Sequence, residues 1–431
     1  MRRVLVMCLG RFGGGASAAR WFAERGEDVL TTDLRSRAQL EAAVAELEPL
    51  GVRFRLGRHD PADFDRADVV VVNPAVPFDD ELVQRAIRNG ARIVTEMGLT
   101  LRELEGNALQ GPVVAITGTN GKSTTAALCA AMLEHSGVPV RLGGNIGRSL
   151  LNEAARLGSG TVAVLEISSF QLAWLEHDVF APRVGIVTNV SGDHFDRHIT
   201  VRHYVESKKR LVTAVPEEGL LVLRGDDPIC REFAAAARGR VAWFGGDHAP
   251  PLPLDALQLP GRHNRENAAA ALHGAVEVGA TAEGCAAALA GFRPLPHRLE
   301  RVGEMRAGVE YIDDSVSTTP EATAAAVRSF GRPVVLLTGG REKGLLLSPL
   351  LEAAQEAHQV VCYGESGPGL SKALPGTHLR RDFDSAVRLA FDLARPGDVV
   401  LLSPGFASYD EFPGFDARGE RFRALVEERG L

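Results

Sequence analysis

The chain has 431 residues, a formal net charge of −7 and a hydrophobic fraction of 45%, so it is long enough for two or three domains, each with its own core. The acidic balance excludes the basic surface typical of proteins that bind nucleic acid or anionic membranes, and no apolar run is long enough to span a membrane. The five cysteines lie far apart without a CxxC pair, which indicates thiols in a reducing compartment. We therefore expect a soluble, cytoplasmic protein.

The first segment alternates predicted strands and helices. An apolar strand at residues 4–9 leads into a glycine-rich turn at 10–15 and a helix, and a second strand ends at Asp33, where an NAD site would carry its ribose-reading carboxylate. This order is typical of a doubly wound sheet. The turn matches a dinucleotide fingerprint only loosely, since Cys8 replaces the first glycine. It indicates an NAD site, a nucleotide diphosphate site, or only close packing of a helix on a strand.

The most informative stretch comes after a linker that contains Gly and Pro. Residues 113–116 predict a buried strand, Gly118-Thr119-Asn120-Gly121 predicts a turn, and the Ala-rich run from Lys122 predicts a helix. The N–H groups of such a turn and the positive helix end bind phosphate, while Lys122 adds a charge and Ser123 a hydroxyl for Mg²⁺. We predict a triphosphate site, although Ile116 replaces the first glycine of the full P-loop pattern.

Three polar residues follow the next predicted strands: Asn145, Glu166 and His194. Because parallel strands end at the same edge of a sheet, we expect all three on the face that holds the P-loop. Glu166 stands where a Mg²⁺-binding carboxylate belongs. His194 is predicted either to act near Mg²⁺ or phosphate, or to bond the backbone of its own turn. A zinc site with His198 and His203 is not expected, since the segment lacks the glutamate of HExxH and a nearby cysteine.

For two further groups of polar residues, the local pattern alone does not decide the role. Lys208 and Lys209, on a helix predicted over residues 203–213, are typical of a solvated face. Asn264 and Asn267 stand at the start of another predicted helix, where such residues are often caps. Beside a nucleotide site they would instead contact adenine or metal-bound water.

The remaining chain again consists of βα units with polar loops after the strands. The predicted strands there are 311–314, 334–337, 359–363 and 399–402. We predict an α/β protein of three domains: a Rossmann-like N-terminal domain (1–106), a central P-loop ATPase-like domain with a mostly parallel sheet (107–296), and a C-terminal Rossmann-like α/β domain (297–431).

Seven motifs occur along the chain in a fixed order: GTNGKST, LEISSFQL, NVSGDHFDRH, HNRENAAAA, LPHRLE, DDSVSTTPEA and SPGFASYDEF. With these motifs the chain resembles the Mur ligases over essentially its whole length. The resemblance implies that ATP converts a carboxylate to an acyl phosphate, which an amino group then attacks. The loop SPGFASYDEF is most similar to members that add D-glutamate to UDP-N-acetylmuramoyl-L-alanine in peptidoglycan precursor synthesis.

The resemblance also implies roles for individual residues. The ATP-binding set is Gly118, Thr119, Asn120, Gly121, Lys122, Ser123, Thr124, Asn264, Asn267, Arg298 and Asp314. Two Mg²⁺ sites are implied, one at Ser123 and Glu166 and one at His194 and a Lys208 carbamylated by CO₂; with Lys122, the residues Glu166, His194 and Lys208 form the catalytic set. The UDP-linked substrate is implied to contact Asp33, Arg35, Asn73, Asn145 and Ser168. The D-glutamate site is implied at Thr318, Lys343, Ser408 and Phe415.

The sequence also departs from the family pattern at individual positions. Val316 stands where many relatives carry a lysine, and Ala75 replaces a glycine. The alternatives are a sister Mur ligase, a folylpolyglutamate synthase-like ligase and, from the first glycine turn alone, a non-catalytic nucleotide-binding protein. We expect a monomer with no nucleic-acid or membrane partner.

Overall fold

The computed structural model describes residues 1–10, 13–74, 76–106, 111–175, 180–191, 200–304 and 308–430. These residues form three β-sheets, in agreement with the predicted three-domain α/β class. They divide into two compact units. The first comprises Met1–Leu254 and Ala268–Leu289, and the second comprises Asp255–Asn267 and Ala290–Leu431.

The first sheet is entirely parallel. Its strands are β1 (Arg3–Met7), β2 (Asp28–Asp33), β3 (Arg53–Leu56), β4 (Val69–Val72) and β5 (Arg92–Val94), in the order β3-β2-β1-β4-β5. The helices are α1 (Gly14–Ala23), α2 (Glu41–Leu47), α3 (Pro61–Arg66), α4 (Glu81–Arg88) and α5 (Glu96–Gly106), with 3₁₀ turns at Ala38–Leu40 and Glu48–Leu50. Strand β4 is a run of four buried valines, as expected for a parallel strand that is covered on both faces.

The second sheet is also parallel and carries the P-loop. Its strands are β6 (Val113–Thr117), β7 (Val140–Gly144), β8 (Val162–Glu166), β9 (Val184–Val187), β10 (Leu220–Arg224) and β11 (Arg240–Phe244), in the order β11-β10-β9-β6-β8-β7. The helices are α6 (Lys122–His135), α7 (Leu151–Ala154), α8 (Ser169–Trp174), α9 (Val201–Ala214), α10 (Pro228–Ala234), α11 (Arg262–Glu277) and α12 (Ala282–Gly291). Because β6 lies between β9 and β8, the loops that follow these three strands share one edge.

The first two sheets belong to the same unit because their helices and loops pack together. Leu151 of α7 lies in the core cluster of the first sheet. Phe78 stacks on Trp174 with ring centroids 4.1 Å apart, and Asn152 Nδ2 donates a hydrogen bond of 3.2 Å to Ser17 O. Helix α7 is therefore held against the first sheet.

The third sheet is mixed. Its strands are β12 (Glu300–Glu304), β13 (Glu310–Asp313), β14 (Val334–Gly339), β15 (Gln359–Tyr363), β16 (His378–Leu379) and β17 (Val399–Gly405), in the order β12-β13-β17-β14-β15-β16. The helices are α13 (Pro320–Val327), α14 (Ser348–Glu356), α15 (Gly367–Ala373), α16 (Phe383–Leu393) and α17 (Phe415–Glu428). Only the pairing of β12 with β13 is antiparallel among the strand pairs of the described residues. The loops after β13, β17 and β14 meet at one edge, because these strands are parallel neighbours.

The sequence predictions miss four strands, β10, β11, β12 and β16. They also end several strands early; β17, for example, continues from Leu402 to Gly405. Within the described ranges, no helix combines the length and apolar character needed to cross a membrane.

Candidate active site

The P-loop follows β6 and is shaped by two glycines. Helix α6 begins directly after Gly121, whose φ of +83° is in the left-handed region. A Cβ atom on Gly118, where φ is +149°, would lie only 1.8 Å from Thr188 Oγ1. Lys122 Nζ donates to Gly118 O at 3.0 Å and to Thr119 O at 2.7 Å. The loop is therefore tightly curled around the lysine, as in a phosphate cradle.

The end of β9 holds this loop in place. Thr188 Oγ1 donates to Asn120 O at 2.6 Å. Asn189 accepts at Oδ1 from Asn120 N at 2.9 Å and donates through Nδ2 to Asn120 O at 3.0 Å. Thr188 and Asn189, which directly follow β9, were not predicted as site residues, although Asn189 opens the NVSGDHFDRH motif.

Lys208 lies inside the protein and points at the P-loop. It is 1% exposed, its Nζ donates to Gly118 O at 2.7 Å, and it lies 4.5 Å from the ring centroid of Tyr204. The Tyr204 hydroxyl is 2.7 Å from Thr119 Oγ1. The interpretation of Lys208 as part of a solvated face was wrong, because α9 packs this side of the helix against the loop. Lys209, its neighbour, is only half-buried.

Glu166 ends β8, directly beside the P-loop strand, and is 2% exposed. Its Oε1 accepts a hydrogen bond of 2.9 Å from Asn145 Nδ2. Its Oε2 is buried and has no hydrogen-bond partner among the described residues. An unsatisfied carboxylate oxygen in this place suits a divalent cation. Two of the three residues that were predicted to share the P-loop edge, Asn145 and Glu166, are thus in direct contact.

Two further residues predicted near this edge are His194 and Ser168. His194 lies outside the described residues, as do Ala75 and part of the first glycine turn. Ser168 caps α8: its Oγ accepts from Gln171 N at 3.2 Å, and its own N–H donates to Gln171 Oε1 at 2.9 Å. This capping box fixes the serine at the end of β8.

At the first sheet, Asp33 is engaged inside the protein. Its oxygens accept from Leu9 N at 3.0 Å and from the Arg35 guanidinium at 2.8 and 3.0 Å. Burial opposes ionisation, but the hydrogen bonds from Arg35 and Leu9 outweigh it and hold the pKa of Asp33 below its ordinary value. The carboxylate therefore orients Arg35 at the strand end. Asn73 approaches the same edge, since a Cβ on Gly10 would lie 2.7 Å from its Nδ2.

The predicted nucleotide-binding residues of the second unit are largely buried. Asn264 Nδ2 donates to Pro260 O at 2.7 Å, and Asn267 Nδ2 donates to Asn264 Oδ1 at 3.3 Å. Burial raises the pKa of Asp314 to about 7, and its Oδ2 accepts from Ser403 Oγ at 2.8 Å. Arg298 is flanked by two residues with left-handed φ, His297 and Leu299.

The four residues predicted for the D-glutamate site lie on the loops after β13, β14 and β17 or at the start of α17. Lys343 Nζ donates to both Thr318 O and Thr318 Oγ1 at 3.2 Å. Ser408 is buried, and Phe415 O accepts from Ser315 Oγ at 2.7 Å. A small pocket lies beside Lys343. Its lining comprises Pro320, Glu342, Lys343, Gly344, Leu345, Leu347, Gly405 and Phe406.

Three family models match the chain. Residues 2–95 match the Mur ligase MurD-like N-terminal domain, residues 116–249 the Mur ligase middle domain, and residues 297–406 the Mur ligase glutamate ligase domain. The chain belongs to the Mur ligase family. Each match coincides with one sheet of this Mur ligase.

Curated relatives of this Mur ligase match it from end to end. The UDP-N-acetylmuramoylalanine–D-glutamate ligase of Pelotomaculum thermopropionicum is 35% identical over 452 residues, covering 99% of this chain and 97% of the relative. The enzyme of the same name from a Roseiflexus species is 37% identical over 464 residues, covering 99% and 98%.

Solved structures share the fold of this Mur ligase. The UDP-N-acetylmuramate-alanine ligase of Thermotoga maritima gives a TM-score of 0.66 at 18% identity, with both chains fully covered. A MurF structure from Acinetobacter baumannii gives 0.62 at 16% identity, covering 86% of this chain and 93% of the other. At these identities the likeness concerns the fold alone.

Proposed function

We propose that this Mur ligase adds D-glutamate to UDP-N-acetylmuramoyl-L-alanine at the expense of ATP, a step of peptidoglycan precursor synthesis. Mur ligases are ATP-dependent enzymes, and the observation that carries the choice of substrates is the full-length identity of about a third to relatives named for this reaction. The P-loop geometry supplies the chemistry. The alternative assignment to a non-catalytic binding protein leaves the buried Glu166 and Lys208 beside the loop without a purpose.

The reaction needs activation because a carboxylate has no leaving group. A carboxylate oxygen of the muramoyl-alanine attacks the γ-phosphorus of ATP, and ADP leaves. The amine of D-glutamate then attacks the acyl carbon; the C–N bond forms, the C–O bond to phosphate breaks, and phosphate and one proton are released. The enzyme contributes mainly by positioning and by stabilising negative charge. In this proposal Lys122 and the α6 N-terminus hold the ATP phosphates.

We assign one Mg²⁺ to Ser123 and Glu166. The buried Glu166 Oε2, without a hydrogen-bond partner among the described residues, supports this assignment, and Ser123 stands one residue into α6. Mg²⁺ bound there would neutralise charge on the transferred phosphoryl group. Asn145 orients the carboxylate through its contact with Oε1.

A second Mg²⁺ is proposed at His194 and a carbamate on Lys208. The ammonium group of Lys208 first loses a proton; the neutral amine then adds to CO₂, an N–C bond forms and the nitrogen loses a second proton, so a cation becomes an anionic oxygen ligand. The burial of Lys208 and its direction toward Gly118 O support this role. Replacing Lys208 by alanine is expected to lower turnover at least about 1000-fold, and short carboxylates such as acetate are expected to restore part of it.

Lys209→Ala is the matched control and is expected to leave turnover unchanged. An independent readout is ¹³C NMR after equilibration with ¹³C-bicarbonate, in which the carbamate signal should be present in the wild type and absent in Lys208→Ala. An active Lys208→Ala enzyme would remove the carbamate from the mechanism.

We assign each of the remaining predicted residues to the substrate that it would contact. We assign the UDP moiety to Asp33, Arg35 and Asn73, and the muramoyl-alanine to Asn145 and Ser168. The ATP contacts outside the first unit are Asn264, Asn267, Arg298 and Asp314. The D-glutamate contacts are Thr318, Lys343, Ser408 and Phe415, a set of donors with a cation that suits carboxylates. Domain bounds of 1–106, 107–296 and 297–431, a monomeric state and a cytoplasmic location, where ATP is made available, belong to the same proposal.

The deciding experiment incubates the protein with ATP, Mg²⁺, UDP-N-acetylmuramoyl-L-alanine and a panel of amino acids, and measures phosphate release. D-Glutamate is expected to give the highest kcat/KM. A different preferred amino acid would identify a sister ligase, and no stimulation by any amino acid would refute a ligase of this type.

A further inference from the structure

Arg418 of α17 has an unusual environment for an arginine. It is fully buried, at 0% exposure. Its Nε donates to Ser315 Oγ at 3.0 Å, and its Nη2 donates to Ser315 O at 3.0 Å and to Phe406 O at 3.1 Å. All three acceptors are neutral. Nη1 is buried and has no acceptor among the described residues.

The positive charge of Arg418 is not neutralised by an ion pair within the described part of the chain. Four acids of the neighbouring loops accept hydrogen bonds from other groups: Asp313, Asp314, Asp410 and Glu411. A buried charge without a partner is costly. We expect a protein to keep a buried arginine of this kind where a bound anion balances its charge.

The guanidinium lies beneath the three loops of the proposed D-glutamate site. Its hydrogen bonds join Ser315, on the loop of Thr318, to Phe406, on the loop of Ser408. Phe406 also lines the pocket beside Lys343. The loop after β14 also lies close to the guanidinium, since a Cβ on Gly340 would lie 3.1 Å from Arg418 Nη1.

We infer that Arg418 is a positioning residue for the amino-acid substrate: its uncompensated charge attracts the dicarboxylate, and its hydrogen bonds hold two of the substrate-binding loops together. The inference rests on the proposed function. D-Glutamate brings two negative charges, and the described residues of the pocket lining include one cation, Lys343, and one acid, Glu342. Arg418 supplies the second charge from below. A charge in a protein interior is screened less than one at the surface, so it acts without touching the ligand.

The test compares the wild type with Arg418→Met, Arg418→Lys and a control on the same helix, Arg421→Met. Arg421 is partly exposed and paired with Asp384 and Glu428. Steady-state kinetics would give kcat and the KM values for D-glutamate and ATP. Arg418→Met is expected to raise the KM for D-glutamate at least about tenfold, or about 1.4 kcal/mol, while the KM for ATP stays within about twofold.

Arg418→Lys keeps the charge but not the planar fork, so its KM for D-glutamate is expected within about threefold of the wild type. Arg421→Met should match the wild type. Equal losses in Arg418→Lys and Arg418→Met, or equal rises in both KM values, would overturn the inference in favour of a purely structural role. If Arg418→Met does not fold, Arg418→Lys decides alone: a tenfold rise in its KM for D-glutamate overturns the inference. A wild type without D-glutamate-dependent phosphate release would refute the proposed function instead.

Discussion

Gly118 offers the sharpest test of how the P-loop is built, through the change Gly118→Ala. The new Cβ would lie 1.8 Å from Thr188 Oγ1, so the threonine must move. Thr188 Oγ1 then loses its hydrogen bond of 2.6 Å to Asn120 O, which costs about 1 kcal/mol. A non-glycine residue at φ +149° adds about 1–3 kcal/mol of backbone strain. The free energy of unfolding is therefore expected to fall by about 2–4 kcal/mol.

The same change should weaken ATP binding. Gly118 O accepts hydrogen bonds from both Lys122 and Lys208, so a displaced loop moves Lys122 away from the proposed phosphate site and Lys208 away from the proposed second Mg²⁺ site. We expect the KM for ATP to rise at least about tenfold. Urea unfolding and steady-state kinetics measure the two effects.

Gly137→Ala is the matched control for this prediction. Gly137 also has a positive φ, +73°, but a Cβ there meets nothing within 4 Å. It is expected to cost about 1 kcal/mol and to leave the KM for ATP unchanged. In the double variant with Thr188→Ala the hydroxyl oxygen is gone, so the two losses should be less than additive. Equal behaviour of Gly118→Ala and Gly137→Ala would refute the reasoning.

Two further predictions concern single ionisable groups. Glu166→Gln keeps an acceptor for Asn145 but removes the charge, so the half-saturating Mg²⁺ concentration in phosphate release should rise at least about tenfold; an unchanged Mg²⁺ dependence would contradict the assignment. The hydrogen bond from His297 Nδ1 to Asp313 Oδ2, at 2.6 Å, raises the pKa of His297 above its ordinary 6.5 although burial opposes this. The stabilisation is therefore complete below pH 6.5 and is lost as the pH rises through the higher folded-state value. His297→Gln should flatten this decline in urea unfolding between about pH 6 and pH 9, and an unchanged slope would show that the pair does not titrate in this range.

The sequence was most informative where a strand is central and apolar. The strand before the P-loop was predicted within one residue of β6, since its buried run ends at glycines. The missed strands β11, β12 and β16 lie at sheet edges. Charged residues interrupt the apolar pattern of β12, which is ERVGE, and β16 has only two residues. Strand β10, with the run LLVL, lies inside its sheet and was also missed, although its apolar pattern is typical of a buried strand.

In the site, local pattern and strand order predicted residues in the loop motif or at a strand end, such as Lys122 and Glu166, and failed for basic residues on helices. Lys122 stands in the loop motif. In the sequence, Lys208 and Arg418 look like ordinary surface residues. In the structure both are buried: Lys208 contacts Gly118, and Arg418 contacts Ser315 and Phe406. A lysine pair on a helix gives no sign of which member points inward. The family resemblance supplied that distinction for Lys208, and it supplied none for Arg418.

The missing first glycine of the P-loop pattern has a structural explanation. Ile116 is a fully buried residue of β6, paired with Glu166 on one side and Ile186 on the other. The chain is still in the sheet at this point, so no close approach requires a glycine. The close approach comes two residues later, at Gly118, where Thr188 of the neighbouring chain segment leaves no room for a side chain. The glycine requirement of the cradle is therefore set by the strand beside it, β9, and the position of the first glycine follows from where that strand ends.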